Sequence, residues 1–107
     1  MVYYFIAASR SFLCEQEPLS ESLRERRRNY SDRGKEIDFW LVEQPNFLDL
    51  PAFAKLKSVI PQPAAAVIST DPKVIRWLKL RLEFAATGEF DSADLADPLG
   101  SSAVGLG

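Results

Sequence analysis

The stretch from Ser69 to Gly88, Ser-Thr-Asp-Pro-Lys-Val-Ile-Arg-Trp-Leu-Lys-Leu-Arg-Leu-Glu-Phe-Ala-Ala-Thr-Gly, carries both a start and a stop signal for a helix and constrains the fold more than any other part of the chain. Asp71 predicts the N-cap, because its carboxylate can accept from the free N–H groups of the first turn. Pro72 suits the first helical position, where a missing N–H costs nothing, and Gly88 suits the left-handed residue past the end. A step of roughly 100° per residue puts Val74, Ile75, Trp77, Leu78, Leu82 and Ala85 on one arc, with Arg76, Lys79 and Glu83 opposite. Arg81 breaks the pattern, falling in the apolar arc beside Trp77, Leu78 and Ala85. A guanidinium cannot shed its proton. On such a face it pairs with a carboxylate, snorkels along apolar neighbours, or lies where the face opens to a groove or a partner protein.

Earlier in the chain, Val2 to Ser9 is aromatic and β-branched at its start and apolar on both alternating faces, which predicts a strand covered on two sides. Pro18 opens a helix to about Asp32, with Leu19, Leu23 and Tyr30 as a narrow apolar stripe and Gly34 as its stop. Arg24, Arg26, Arg27 and Arg28 form a concentrated basic patch on that helix. It reads either as a solvated charged face or as a contact for an acidic protein. Glu36 to Glu43 predicts a second strand, with Ile37, Phe39 and Leu41 on one face and Asp38, Trp40 and Val42 on the other. Asp38 is thus a carboxylate on an apolar face and the natural counterion to seek for Arg81. Phe39 is a core residue by default, or an anchor for another protein if its strand lies near a sheet edge.

After Pro45, Asn46 can cap a helix from Phe47 to about Ser58, broken near Pro51. Pro61-Gln62-Pro63 is a stiff connector, Ala64 to Ser69 a small-residue strand, and Glu89 to Asp91 a short edge strand. Residues 92–107 are poor in bulky side chains and are expected to be a disordered tail after a single globular domain over residues 1–91. Strands and helices alternate with short loops, but three or four strands and no Gly-rich phosphate loop argue against a parallel nucleotide-binding sheet. The expected fold class is α+β, a small, largely antiparallel sheet flanked by helices.

The chain has no histidine and a single cysteine, Cys14, so an intramolecular disulfide, a cysteine–histidine zinc site and a histidine-based triad are excluded. No paired-carboxylate motif stands out, and Glu21 and Glu25 lie on an exposed helix face. The reading is therefore not an enzyme, with no catalytic residues, metal or cofactor assigned. A net charge of −2 speaks against nucleic acid, and no apolar run approaches the roughly 20 residues of a membrane span. The N-terminus also lacks signal-peptide character.

Tyr3-Tyr4-Phe5, Arg24-Glu25-Arg26, Gly34 to Trp40 (Gly-Lys-Glu-Ile-Asp-Phe-Trp), Pro61 to Thr70, Trp77-Leu-Lys-Leu-Arg-Leu82 and Thr87-Gly-Glu-Phe90 occur in that order. Together they resemble the small cyanobacterial and plastid accessory factor of the aerobic magnesium-protoporphyrin IX monomethyl ester oxidative cyclase of chlorophyll synthesis. The resemblance covers roughly residues 2 to 91. It implies an antiparallel sheet flanked by helices and a non-catalytic subunit or assembly factor that binds the membrane-associated di-iron cyclase. The expected location is the cyanobacterial cytoplasm or plastid stroma, at the thylakoid through that partner. It also implies that Asp38, Phe39 and Arg81 belong to the surface that contacts the enzyme. Arg81 and Asp38 are the two polar groups that the patterning itself isolates on apolar faces. The alternative is a tetrapyrrole carrier that uses Tyr3, Trp40 and Trp77, weakened by the lack of histidine as an axial ligand.

Overall fold

The computed structural model describes residues 1–16, 19–95 and 103–104. Its frame is an antiparallel sheet of β1 (Val2–Ser9), β2 (Phe39–Glu43), β3 (Ala64–Ser69) and β4 (Ala86–Asp91), in the order β4-β1-β3-β2. Two residues, β5 (Ala103–Val104), extend it beyond β2. Both expected features of the sheet hold, the antiparallel pairing and a β1 buried on two sides. Every pairing is antiparallel, and Phe5, Ile6 and Ala7 of β1 are almost wholly buried.

Period-2 alternation sorts the strand residues into two layers. Ile6, Phe39, Leu41, Ala65 and Val67 pack with α1 (Leu19–Asp32) and α3 (Pro72–Arg81). Phe5, Ala7, Val42, Ala66 and Ile68 face the other way, against Phe47, Leu48, Ile60 and Phe90. The expected helix after Pro45 is broken up. A 3-10 turn over Asn46–Asp49, a second over Pro51–Phe53 and then α2 (Ala54–Val59) replace it. Pro45, not Asn46, holds the cap position, and Pro51 starts a new turn because it cannot donate into the preceding one.

The helix ends follow local rules with one exception. Asp71 caps α3 as predicted, its carboxylate accepting from Lys73 N–H at 2.9 Å, with Pro72 in the first turn. Gly34 has φ +66°, and the N–H groups of Gly34 and Lys35 donate to the carbonyls of Ser31 and Tyr30. That pair of reversed bonds is a Schellman closure of α1. Gly88, by contrast, does not stop α3. The helix ends at Arg81, and the Lys79 ammonium donates to the carbonyls of Glu83 and Ala85, a cationic cover for the turn that follows. Gly88 lies inside β4 instead, where a Cβ would stand 2.7 Å from Phe5 Cζ.

Ser69, fully buried at the end of β3, joins three elements. Its hydroxyl donates to the Asp38 carbonyl at 2.8 Å and accepts from Asp71 N–H at 3.0 Å, while Thr70 N–H also donates to the Asp38 carbonyl. The entrance of β2 is thereby fixed beside the N-terminus of α3. The expected disorder of residues 92–107 falls mostly outside the described residues, apart from a 3-10 turn at Ser92–Asp94 and the short β5. Pro18 also lies outside them. Among the described residues no helix is long and apolar enough to cross a membrane.

Candidate partner-binding surface

The apolar stripe of α1 runs Leu19, Leu23, Tyr30, with all three side chains buried. Arg26 stands three residues after Leu23 and four before Tyr30, so it shares their face although it belongs to a run of arginines. Its guanidinium does not join the solvated patch. It lies over the Trp77 ring, 4.6 Å from the centroid, and 5.6 Å from that of Tyr30. Arg81, four residues after Trp77 on α3, is exposed and covers the same indole at 5.2 Å. Arg26, Trp77 and Arg81, with Ser22, Glu25 and Asn29, line an open cleft of about 360 Å³ between the two helices. Arg81 therefore lies at the flank of α3 that faces α1 and not over the sheet, which resolves the three possibilities open to it in favour of a groove.

Asp38 is not its counterion. The Asp38 backbone is held beside the N-terminus of α3, whereas Arg81 is the helix's last residue, and ten residues at 1.5 Å rise separate the two ends by about 15 Å. Asp38 instead faces the Lys35 ammonium at 3.7 Å. Lys35 in turn sits 4.4 Å from the Tyr30 ring centroid. A continuous strip thus runs along the α1/α3 seam from Arg81 through Trp77, Arg26, Tyr30 and Lys35 to Asp38.

Phe39 is fully buried and meets Tyr30 edge to face at 5.4 Å. Of its two readings, the structure shows the core one, and the ring is not exposed as an anchor. Although β2 lies next to the sheet edge, Phe39 points into the helix layer, where Tyr30 covers it. Phe39 supports the strip from beneath.

Polar satisfaction along this strip is incomplete. Arg26 Nε, the Tyr30 hydroxyl and Asp38 Oδ1 are buried without a hydrogen-bond partner among the described residues. Buried polar atoms are paired in the great majority of cases, and a cluster that is not calls for an explanation. Ionisation is shifted in a separate cluster near the end of β1. There the hydrogen bond and charge of Glu43 raise the pKa of Arg10, and burial pushes the Cys14 thiol up. Tyr3 and Trp40 pack on the layer opposite Trp77, so the three aromatics considered for a tetrapyrrole do not converge on one pocket. Among the described residues no group of three or more acidic or cysteine side chains could hold a metal ion.

A family model described as Ycf54 protein matches residues 1–92. The Ycf54-like protein of Synechocystis is 48% identical over 101 residues, covering 92% of this chain and 76% of that one. The chloroplastic YCF54 protein of Arabidopsis thaliana is 36% identical over 97% of this chain, which spans 49% of that longer protein. Among solved structures, the Ycf54 protein of Thermosynechococcus elongatus superposes with a TM-score of 0.90 at 55% identity, over 94% of both chains. That of Synechocystis gives 0.86 at 48% identity, over 92% of this chain and 94% of the other.

Proposed function

We propose that this chain, which belongs to the Ycf54 family of cyanobacterial and plastid proteins, is a non-catalytic accessory factor that binds and stabilises the aerobic magnesium-protoporphyrin IX monomethyl ester cyclase. In this reading it carries no cofactor, supports protochlorophyllide formation, and reaches the thylakoid through its partner. The contact runs along the α1/α3 seam, with Arg81 at one end and Asp38 at the other. Phe39 holds the surface in shape from below. The observation that carries the reading is Arg81 itself, an exposed guanidinium fixed over Trp77 that makes no ion pair among the described residues. A guanidinium placed against a ring, but without a carboxylate, suits an interface better than it suits the isolated fold.

Thermal melts and capture of the purified cyclase on the same variants test it. Arg81→Ala should change stability by less than about 1 kcal/mol, because an exposed side chain is removed. It should weaken capture by about 2 kcal/mol or more, as for a central interface arginine. Normal melting with full capture, or failure of the parent to capture the cyclase, would overturn the reading. Titration of magnesium-protoporphyrin ester into the chain alone should leave the Trp fluorescence unchanged. A saturable quench would favour a carrier.

A further inference from the structure

Each of the two helices facing the seam sends one arginine over Trp77, and the fold brings both, Arg26 and Arg81, to within 5.2 Å of one indole centroid. The chain has more acid than base, 15 Asp and Glu against 13 Lys and Arg. Carboxylates are thus in ample supply, yet neither guanidinium forms an ion pair with any of them among the described residues. Glu25 lines the same cleft without pairing to either. Two like charges held against one ring repel, and Arg26 Nε is buried with its hydrogen-bonding capacity unused. Both costs fall when an external carboxylate arrives, since each planar guanidinium offers a fork of donors that matches a carboxylate. Leu80, three residues after Trp77 and so beside it on the surface of α3, lies outside the cleft lining and is 87% exposed.

We infer that the cleft receives an acidic segment of the partner protein, with carboxylates on Arg26 and Arg81 and an apolar side chain on Leu80. This deepens the reading of Arg81 as a partner contact and rests on it. A nucleic acid is a poorer fit, because Glu25 would face its phosphates and a single ring offers little for successive bases to stack on.

The direct test follows the Trp77 indole N–H by nuclear magnetic resonance in the full chain, with the resonance assigned through Trp40→Phe. The probe is a short synthetic peptide of glutamates around one leucine. A saturable shift is expected, fading as salt rises. Arg26→Gln and Arg81→Gln should each weaken it by about tenfold or more, whereas Glu25→Gln should strengthen it by removing a like charge. Glu25 is exposed, so this last variant stays informative if Arg26→Gln folds poorly. No shift, an equal shift with a lysine peptide or an oligothymidine, or a shift untouched by all three substitutions would overturn the inference.

Capture of the purified cyclase separates this inference from the reading beneath it. If Arg26→Gln captures the enzyme as well as the parent does while Arg81→Ala fails, the inference falls and the accessory role stands. If the parent captures no cyclase while the acidic peptide still binds, the accessory role falls and the cleft serves another acidic partner.

Discussion

Replacing Gly88 by alanine tests whether this glycine serves packing or backbone conformation. The added Cβ would stand 2.7 Å from Cζ and 2.9 Å from Cε2 of Phe5, inside the limit at which something must move. The Phe5 ring cannot swing away cheaply. It is fully buried, with Phe47 at 4.2 Å between centroids, Phe53 edge-on at 5.3 Å and Phe90 at 6.4 Å. Overpacking of this kind costs about 1–3 kcal/mol. The lost backbone entropy of a glycine in a strand returns about 0.5–1 kcal/mol when alanine replaces it. The net expectation is a loss of about 1–2 kcal/mol, or roughly 5–15 °C in melting temperature for a domain of this size. Denaturant unfolding of Gly88→Ala, Phe5→Leu and the double variant decides the cause. If the ring is the obstacle, shrinking it should relieve the added methyl, and the double variant should be less destabilised than the singles combined by about 0.5 kcal/mol or more. A neutral Gly88→Ala, or strictly additive losses, would refute the packing account.

Gly34 differs, because nothing lies within 4 Å of where its Cβ would be and only its φ of +66° constrains it. Gly34→Val should cost about 1 kcal/mol or more and Gly34→Asn clearly less, by thermal melts, since asparagine tolerates the left-handed region. Ser69→Ala should cost about 1–3 kcal/mol, because the Asp38 carbonyl and the Asp71 N–H both lose a buried partner. Protection of the Asp71 amide against hydrogen exchange should fall with it, and an unchanged amide would place the cost elsewhere. Phe39→Ala should cost about 3–5 kcal/mol as a buried-ring deletion. Phe39→Leu should melt lower than the parent yet still capture the cyclase, whereas loss of capture by a folded Phe39→Leu would make the ring a direct contact.

What could be read from the sequence was local. The Asp71-Pro72 start of α3, the Gly34 stop of α1 and the alternation of Phe39, Trp40, Leu41 and Val42 between two layers each depend on neighbours a few residues away. What escaped depends on distant partners. Gly88 looks like a helix stop until β1 brings Phe5 against it, and α3 ends without a glycine because the Lys79 ammonium reaches the carbonyls beyond it. Asp38 and Arg81 match as charges, yet both ends of α3 are anchored and its length keeps them apart.

Arg26 is the instructive omission, because its signal was present and masked. Among the four arginines of the patch each looks like part of a solvated face, and Arg26 and Arg27 both fall three or four residues from Leu23 and from Tyr30. The same test that isolates Arg81 on α3, a permanent charge at a stripe position, narrows α1 to Arg26 and Arg27, and the contact with Trp77 selects Arg26. Each alone is ambiguous, since a single arginine can snorkel out of a seam at little cost. Two that enter one seam from opposite helices and meet over one indole bring like charges together, which snorkelling alone does not require. Their spacing along the sequence says nothing of that meeting, which arises only when α1 and α3 pack side by side on the same face of the sheet.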